Sequence, residues 1–192
     1  MTDLSDCLFS RWSPGLGDTH LMGWVTVGIY LLAAAAAGVL AVRGRFPAPG
    51  TGRERAFWAL ASALLLTLAL NKQLDLQSAL TAAGRCLAQA QGWYENRHSV
   101  QAAFILGLAG GGLVALLMLA VLLRGTLHRT GLALLGLVFV TLFVVIRAAG
   151  FHHMDAIINT WIWGVKMNWA LELPGPLIVL AAALRESTPT PR

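Results

Sequence analysis

Charge is scarce in this chain. Of its 192 residues only 12% are Asp, Glu, Lys or Arg, against 57% hydrophobic residues, and the mean hydropathy is +0.67. Such a composition excludes an ordinary water-soluble domain. Acidic residues are scarcer than basic ones, nine against fourteen, which gives a formal charge of +5. That excess makes no nucleic-acid surface, because the arginines stand in short clusters between apolar blocks rather than along one face. No Cys-x-x-Cys-His occurs, which excludes covalent haem, and no Gly-x-Ser-x-Gly elbow suggests a serine nucleophile. The run Gly110-Gly111-Gly112 lacks the Lys-Ser/Thr that a phosphate loop needs. A basic leader ending in small residues is also missing ahead of the first apolar block, which argues against a cleaved signal peptide.

What is present is a set of apolar blocks, each long enough to cross a hydrocarbon core, which takes about 20 helical residues. They cover residues 21–42, 57–77, 100–123, 132–149 and 165–184. The expectation is an all-α integral membrane protein: a single bundle of about five transmembrane helices, followed by a cytoplasmic tail at residues 185–192. Arg43, Arg45, Arg53 and Arg55 follow the first block, Arg124, His128 and Arg129 the third, and Arg185 and Arg192 the fifth. Positive charge is retained in the cytoplasm, so these segments are expected inside, with the N-terminus outside. Residues 78–99, rich in Ala and Gln, and residues 156–169, which interleave tryptophans with polar side chains, have the composition of interfacial segments on the outer side.

Cys7 and Cys86 fall on that same side. In an oxidising compartment they could pair, and spacing alone leaves open whether their Cα atoms approach closely enough. The third block places Ala103, Gly107, Gly111 and Ala115 on one stripe, a packing signal in membranes.

The most informative feature is polar. Lys72 lies about 22 Å above Phe57, Arg147 about 22 Å above Leu132, and Glu172 about 18 Å above Leu184, at 1.5 Å per residue. All three come out at one depth. Asn71, Lys72 and Asp75 are spaced to share a helical face, and Glu172 precedes Pro174-Gly175-Pro176, which distorts a helix and frees backbone carbonyls. Residues 150–155 read Gly-Phe-His-His-Met-Asp, so His152, His153 and Asp155 are candidate ligands or ligand-orienting groups for a divalent metal such as zinc. Adjacent histidines point about 100° apart on a helix, so Gly150 would have to break the helix for both to reach one ion. Glu95, Arg97 and His98 form a further outer group.

Intramembrane ionisable groups mark function by default, and three readings stay open: a structural ion-pair network, a metal or catalytic centre, and a proton or ligand path. In the catalytic reading Asp75 or Glu172 handles a proton, and Lys72 or Arg147 meets developing negative charge. The metal then activates water for hydrolysis of a lipid or membrane-proximal substrate. The alternatives are a non-enzymatic accessory or assembly subunit that docks a membrane-protein partner, and a b-type haem protein using a histidine near 152 with His98 or His20.

With Asn-Lys-Gln-Leu-Asp-Leu-Gln at 71–77, Gln-Gly-Trp-Tyr-Glu at 91–95, Phe-His-His-x-Asp at 151–155 and Leu-Glu-Leu at 171–173, the chain resembles a group of small bacterial multi-pass inner-membrane proteins. That resemblance implies a bacterial inner membrane and no particular reaction. Membrane hydrolases of the alkaline ceramidase superfamily share only the general chemistry, since they carry a His-x-x-x-His motif absent here.

Overall fold

The computed structural model describes residues 4–13, 20–47, 50–148, 160–162 and 165–188. Their helices are α1 (Leu4–Arg11), α2 (Leu21–Arg43), α3 (Thr51–Leu74), α4 (Leu76–Ala90), α5 (Arg97–Leu122), α6 (Leu127–Ala148), α7 (Met167–Glu172) and α8 (Pro174–Ser187), with a 3-10 turn at Tyr94–Asn96. A two-residue antiparallel pairing, Trp161–Ile162 with Val165–Lys166, precedes α7. Five segments are long and apolar enough to cross a membrane: α2, α3, α5, α6, and α7 with α8.

Two of these segments differ from the sequence expectation. The second begins at Thr51 rather than at residue 57, which brings Arg53, Glu54 and Arg55 into its first turns. It also ends at Leu74, because Asp75 adopts the left-handed conformation (φ 47°, ψ 47°) and joins α3 to α4. Lys72 and Asp75 therefore do not share an unbroken helical face. The fifth segment is broken at Leu173: Pro174 opens α8, where its missing N–H is tolerated, and α7 stops with Glu172 at its last position.

Small residues set the packing. Ala33, Ala34 and Ala37 of α2 are wholly or almost wholly buried against α3, where Trp58 and Ala61 are fully buried. The Ser62 hydroxyl bridges the two helices by donating to the Ala34 carbonyl at 2.8 Å. Between α6 and α8 the approach is backbone to backbone. A Cβ at Gly136 would stand 2.7 Å from the Gly175 carbonyl oxygen, and one at Gly175 would stand 2.5 Å from the Val140 Cβ, so only glycine fits either position. One apolar core, with Tyr30, Phe57, Leu65, Val140 and Val179 among its members, joins α2, α3, α6 and α8.

α5 stands apart. The other four segments bury 33–39% of their most apolar window, whereas α5 buries none of its own. Only Leu116 and Leu119, toward its C-terminal end, pack on the core.

Cys7 and Cys86 form a disulfide, with Cα atoms 6.0 Å apart, which fastens α1 to α4. The Arg11 side chain adds a hydrogen bond to Gln89 at 3.2 Å. By chain connectivity this pair lies at the end of the bundle where α2 begins and α3 ends.

Candidate functional site

Four elements meet near the disulfide end. α3 brings Leu68, Asn71 and Lys72 in its last two turns, and Asp75 just beyond them; α6 brings Phe143, Val144 and Arg147; α7 brings Glu172, and α2 contributes Tyr30. They line one cavity. Its volume, open to the surroundings on one side, is ≈ 320 Å³.

At its centre Lys72 Nζ donates to Glu172 Oε2 at 2.9 Å, and the two side chains are 7% and 4% exposed. Asn168, one helical turn before Glu172, donates to the same oxygen at 3.4 Å. Desolvating two charges opposes this arrangement, so it persists through good geometry and additional hydrogen bonds. The surroundings are not fully satisfied. The Tyr30 hydroxyl, on a residue 1% exposed, is close enough to Glu172 to feel its charge yet makes no hydrogen bond of good geometry. Asn168 Oδ1 is likewise buried without a partner, as are both polar atoms of the Gln73 amide next to Lys72 in sequence. Unpaired buried polar atoms are uncommon in folded proteins; Trp58 Nε1 and Glu54 Oε2 are two more, outside the lining of this cavity.

Asp75 and Arg147 complete the lining. Both are half-buried, and neither side chain makes a hydrogen bond or ion pair with a described residue. Asp75 is the only non-glycine among the described residues with positive φ. Left-handed backbone costs an L-residue roughly 1–2 kcal/mol, least for Asp and Asn, and here it ends α3 and turns the chain into α4 at the cavity edge. The lining residues include no serine, threonine or cysteine. What the site offers is therefore proton handling by carboxylates and stabilisation of negative charge by Lys72 and Arg147.

The structure thus gathers Lys72, Asp75, Arg147 and Glu172, the four residues expected to carry chemistry, around one cavity. It adds Tyr30 and Asn168, which sequence reasoning did not single out. The metal candidates His152, His153 and Asp155 lie outside the described residues, and so does the side chain of His98. His20 is an exposed residue at the start of α2. Among the described residues no three His, Cys, Asp or Glu side chains are grouped to hold a metal.

A second charged cluster, also unforeseen, lies at the far end of the same helices. Arg129 of α6 binds Glu186 of α8 through Nη2 at 2.8 Å and Nε at 2.9 Å, and its Nε is 3.6 Å from Glu54 Oε2 on α3. Its guanidinium covers the Phe46 ring, 5.4 Å from the centroid. The signal was present in the numbering. Glu54 and Lys72 are eighteen residues apart, as are Arg129 and Arg147, which is five helical turns and about 27 Å. Each helix therefore presents a charge at both ends of one face.

No protein-family model, curated protein or solved structure matches this chain, so its function is read from the geometry of the site.

Proposed function

We propose that this chain is a polytopic protein of the bacterial inner membrane whose polar site, at the periplasmic end, acts on a lipid or another membrane-proximal substrate. The observation that carries the reading is the Lys72–Glu172 pair: two opposite charges, almost fully buried, joined across a hundred residues of sequence and set in the wall of a cavity that Tyr30, Asp75 and Arg147 also line. Five apolar helices support the membrane location. The Cys7–Cys86 disulfide supports an oxidising compartment at the cavity end, since structural disulfides persist outside the cytoplasm. The arginine-bearing connections α2–α3 and α5–α6, and the end of α8, lie at the other end, as retention of positive charge in the cytoplasm requires.

In this reading Glu172 exchanges a proton with the substrate, Lys72 holds its carboxylate in place, and Arg147 faces negative charge that develops in the reaction. The reaction is hydrolytic in its metal-dependent form. His152, His153 and Asp155 would hold a divalent ion such as zinc, which would supply activated water. In sequence the segment bearing these residues links α6, which carries Arg147, to α7, which carries Asn168 and Glu172.

Two measurements test the proposal. The lipid profile of a deletion strain should be restored by the wild-type chain and not by Glu172→Gln or Lys72→Met; restoration by both variants would overturn the enzymatic reading. Elemental analysis of protein purified without chelators should find about one divalent ion per chain, lost in a His152→Ala/His153→Ala variant. Wild-type protein free of metal would remove the metal-dependent form.

A second reading, an accessory subunit that docks a membrane-protein partner, draws on α5. Its small-residue stripe is fully open, and an added Cβ at Gly107 or Gly111 would meet nothing within 4 Å. It predicts stable co-purification with one partner from native membranes, lost in Gly107→Leu/Gly111→Leu.

A further inference from the structure

The cavity carries information about its ligand beyond the class of molecule. Of its four charges, Lys72 and Glu172 hold each other. Arg147 and Asp75 face the same space with no ion pair between them and no described partner for either side chain. A half-buried cation and a half-buried anion left apart on one cavity wall call for a ligand bearing both complementary charges. A purely anionic group would suit Arg147 but would set its charge against Asp75 and Glu172, and a purely cationic one would meet the reverse conflict.

The polar atoms narrow the choice. The Asp75 carboxylate in the lining can accept an N–H. A quaternary ammonium has no N–H to give.

Resting on the reading of a lipid-directed site, we infer that the cavity recognises a phosphoethanolamine headgroup. The ammonium meets Asp75 and the phosphate meets Arg147. The charges then balance. Lys72, Arg147 and the ammonium offset Glu172, Asp75 and the phosphate. The left-handed turn at Asp75 fits this role, because it interrupts the α3–α4 helix at the residue that meets the ligand.

The test is native mass spectrometry of the full-length purified chain, incubated in detergent with phosphatidylethanolamine, phosphatidylcholine or phosphatidylglycerol of identical acyl chains. The expected result is one phosphatidylethanolamine retained per chain, with at least ~10-fold preference over the other two, the size expected for one charge-assisted hydrogen bond. Asp75→Asn should abolish that preference, whereas Arg147→Gln, which removes the partner of the phosphate common to all three, should weaken retention of every lipid. Displacement by soluble phosphoethanolamine would show that the headgroup alone is recognised, and resistance to it that the acyl chains contribute; both support the inference. Equal retention of the three lipids by the wild-type chain overturns it, an outcome independent of how any variant folds. If retention is equal while Glu172→Gln still fails to restore the lipid profile, the headgroup assignment falls and the lipid-directed site stands. If Glu172→Gln restores the profile, the parent reading falls.

Discussion

The two charged clusters of this protein are built from the same three strands of structure and differ in one respect. At the far end, Arg129 is closed in by Glu186, Glu54 and the Phe46 ring, and Glu54 Oε2 is buried without a hydrogen bond. At the disulfide end, Lys72 and Glu172 pair equally closely, yet they adjoin a cavity that Tyr30, Asp75 and Arg147 also line. Both clusters fix the register of α3, α6 and the last segment. The disulfide end also carries the irregular backbone: Asp75 turns left-handed between α3 and α4, and Pro174, which has no N–H to donate, follows Glu172 by two residues.

The comparison is broken most severely by removing half of the buried pair. Glu172→Ala should destabilise the protein by about 3–5 kcal/mol, because Lys72 is left charged and buried; unfolding in detergent followed by circular dichroism measures it. A Lys72→Met/Glu172→Leu double variant should recover most of that loss while remaining inactive, which separates stability from chemistry. Recovery of activity in the double variant would mean that the disulfide-end pair, too, only holds the fold.

Next in size is the glycine crossing that positions α8 against α6. Gly175→Val, whose Cβ would stand 2.5 Å from the Val140 Cβ, should cost about 1–3 kcal/mol through overpacking. It should also weaken both clusters, since Glu172 and Glu186 flank the crossing in sequence. At the far end Glu54→Gln should cost only about 1 kcal/mol, because the carboxylate stands at 3.6 Å from Arg129 with Glu186 closer, and the glutamine keeps a polar group there. Smallest is Ser62→Ala, which removes one interhelical hydrogen bond and should cost about 0.6 kcal/mol. A Ser62→Ala effect as large as that of Glu172→Ala would show that the α2–α3 contact, and not the charge clusters, dominates the fold.

Much of this was legible in the sequence, for identifiable reasons. The apolar blocks announced five long helices because a helix must satisfy its own backbone wherever water is excluded. Rise per residue placed Lys72, Arg147 and Glu172 at one level, and the structure sets them around one cavity. Tyr30 was not legible, because a single tyrosine in an apolar run carries no periodic signal and its neighbours lie far away in sequence. Asn168 was noted only as interfacial polarity. Glu54 was assigned to a connection, since arginines on both sides hid the start of α3. Nor could the Gly136–Gly175 contact be read from one helix alone, because it joins two helices and neither contains a matching repeat. The isolation of α5 was equally invisible, because its hydropathy resembles that of α2 and α6.

The central claim is that the disulfide-end cluster works and the far-end cluster holds. Its most direct test is to express Glu172→Gln and Glu54→Gln side by side in the deletion strain, at matched levels of folded protein, and to quantify membrane lipids by mass spectrometry. The account predicts that Glu54→Gln restores the wild-type profile while Glu172→Gln leaves that of the deletion strain. Equal restoration by both variants, or failure of Glu54→Gln with success of Glu172→Gln, would contradict it.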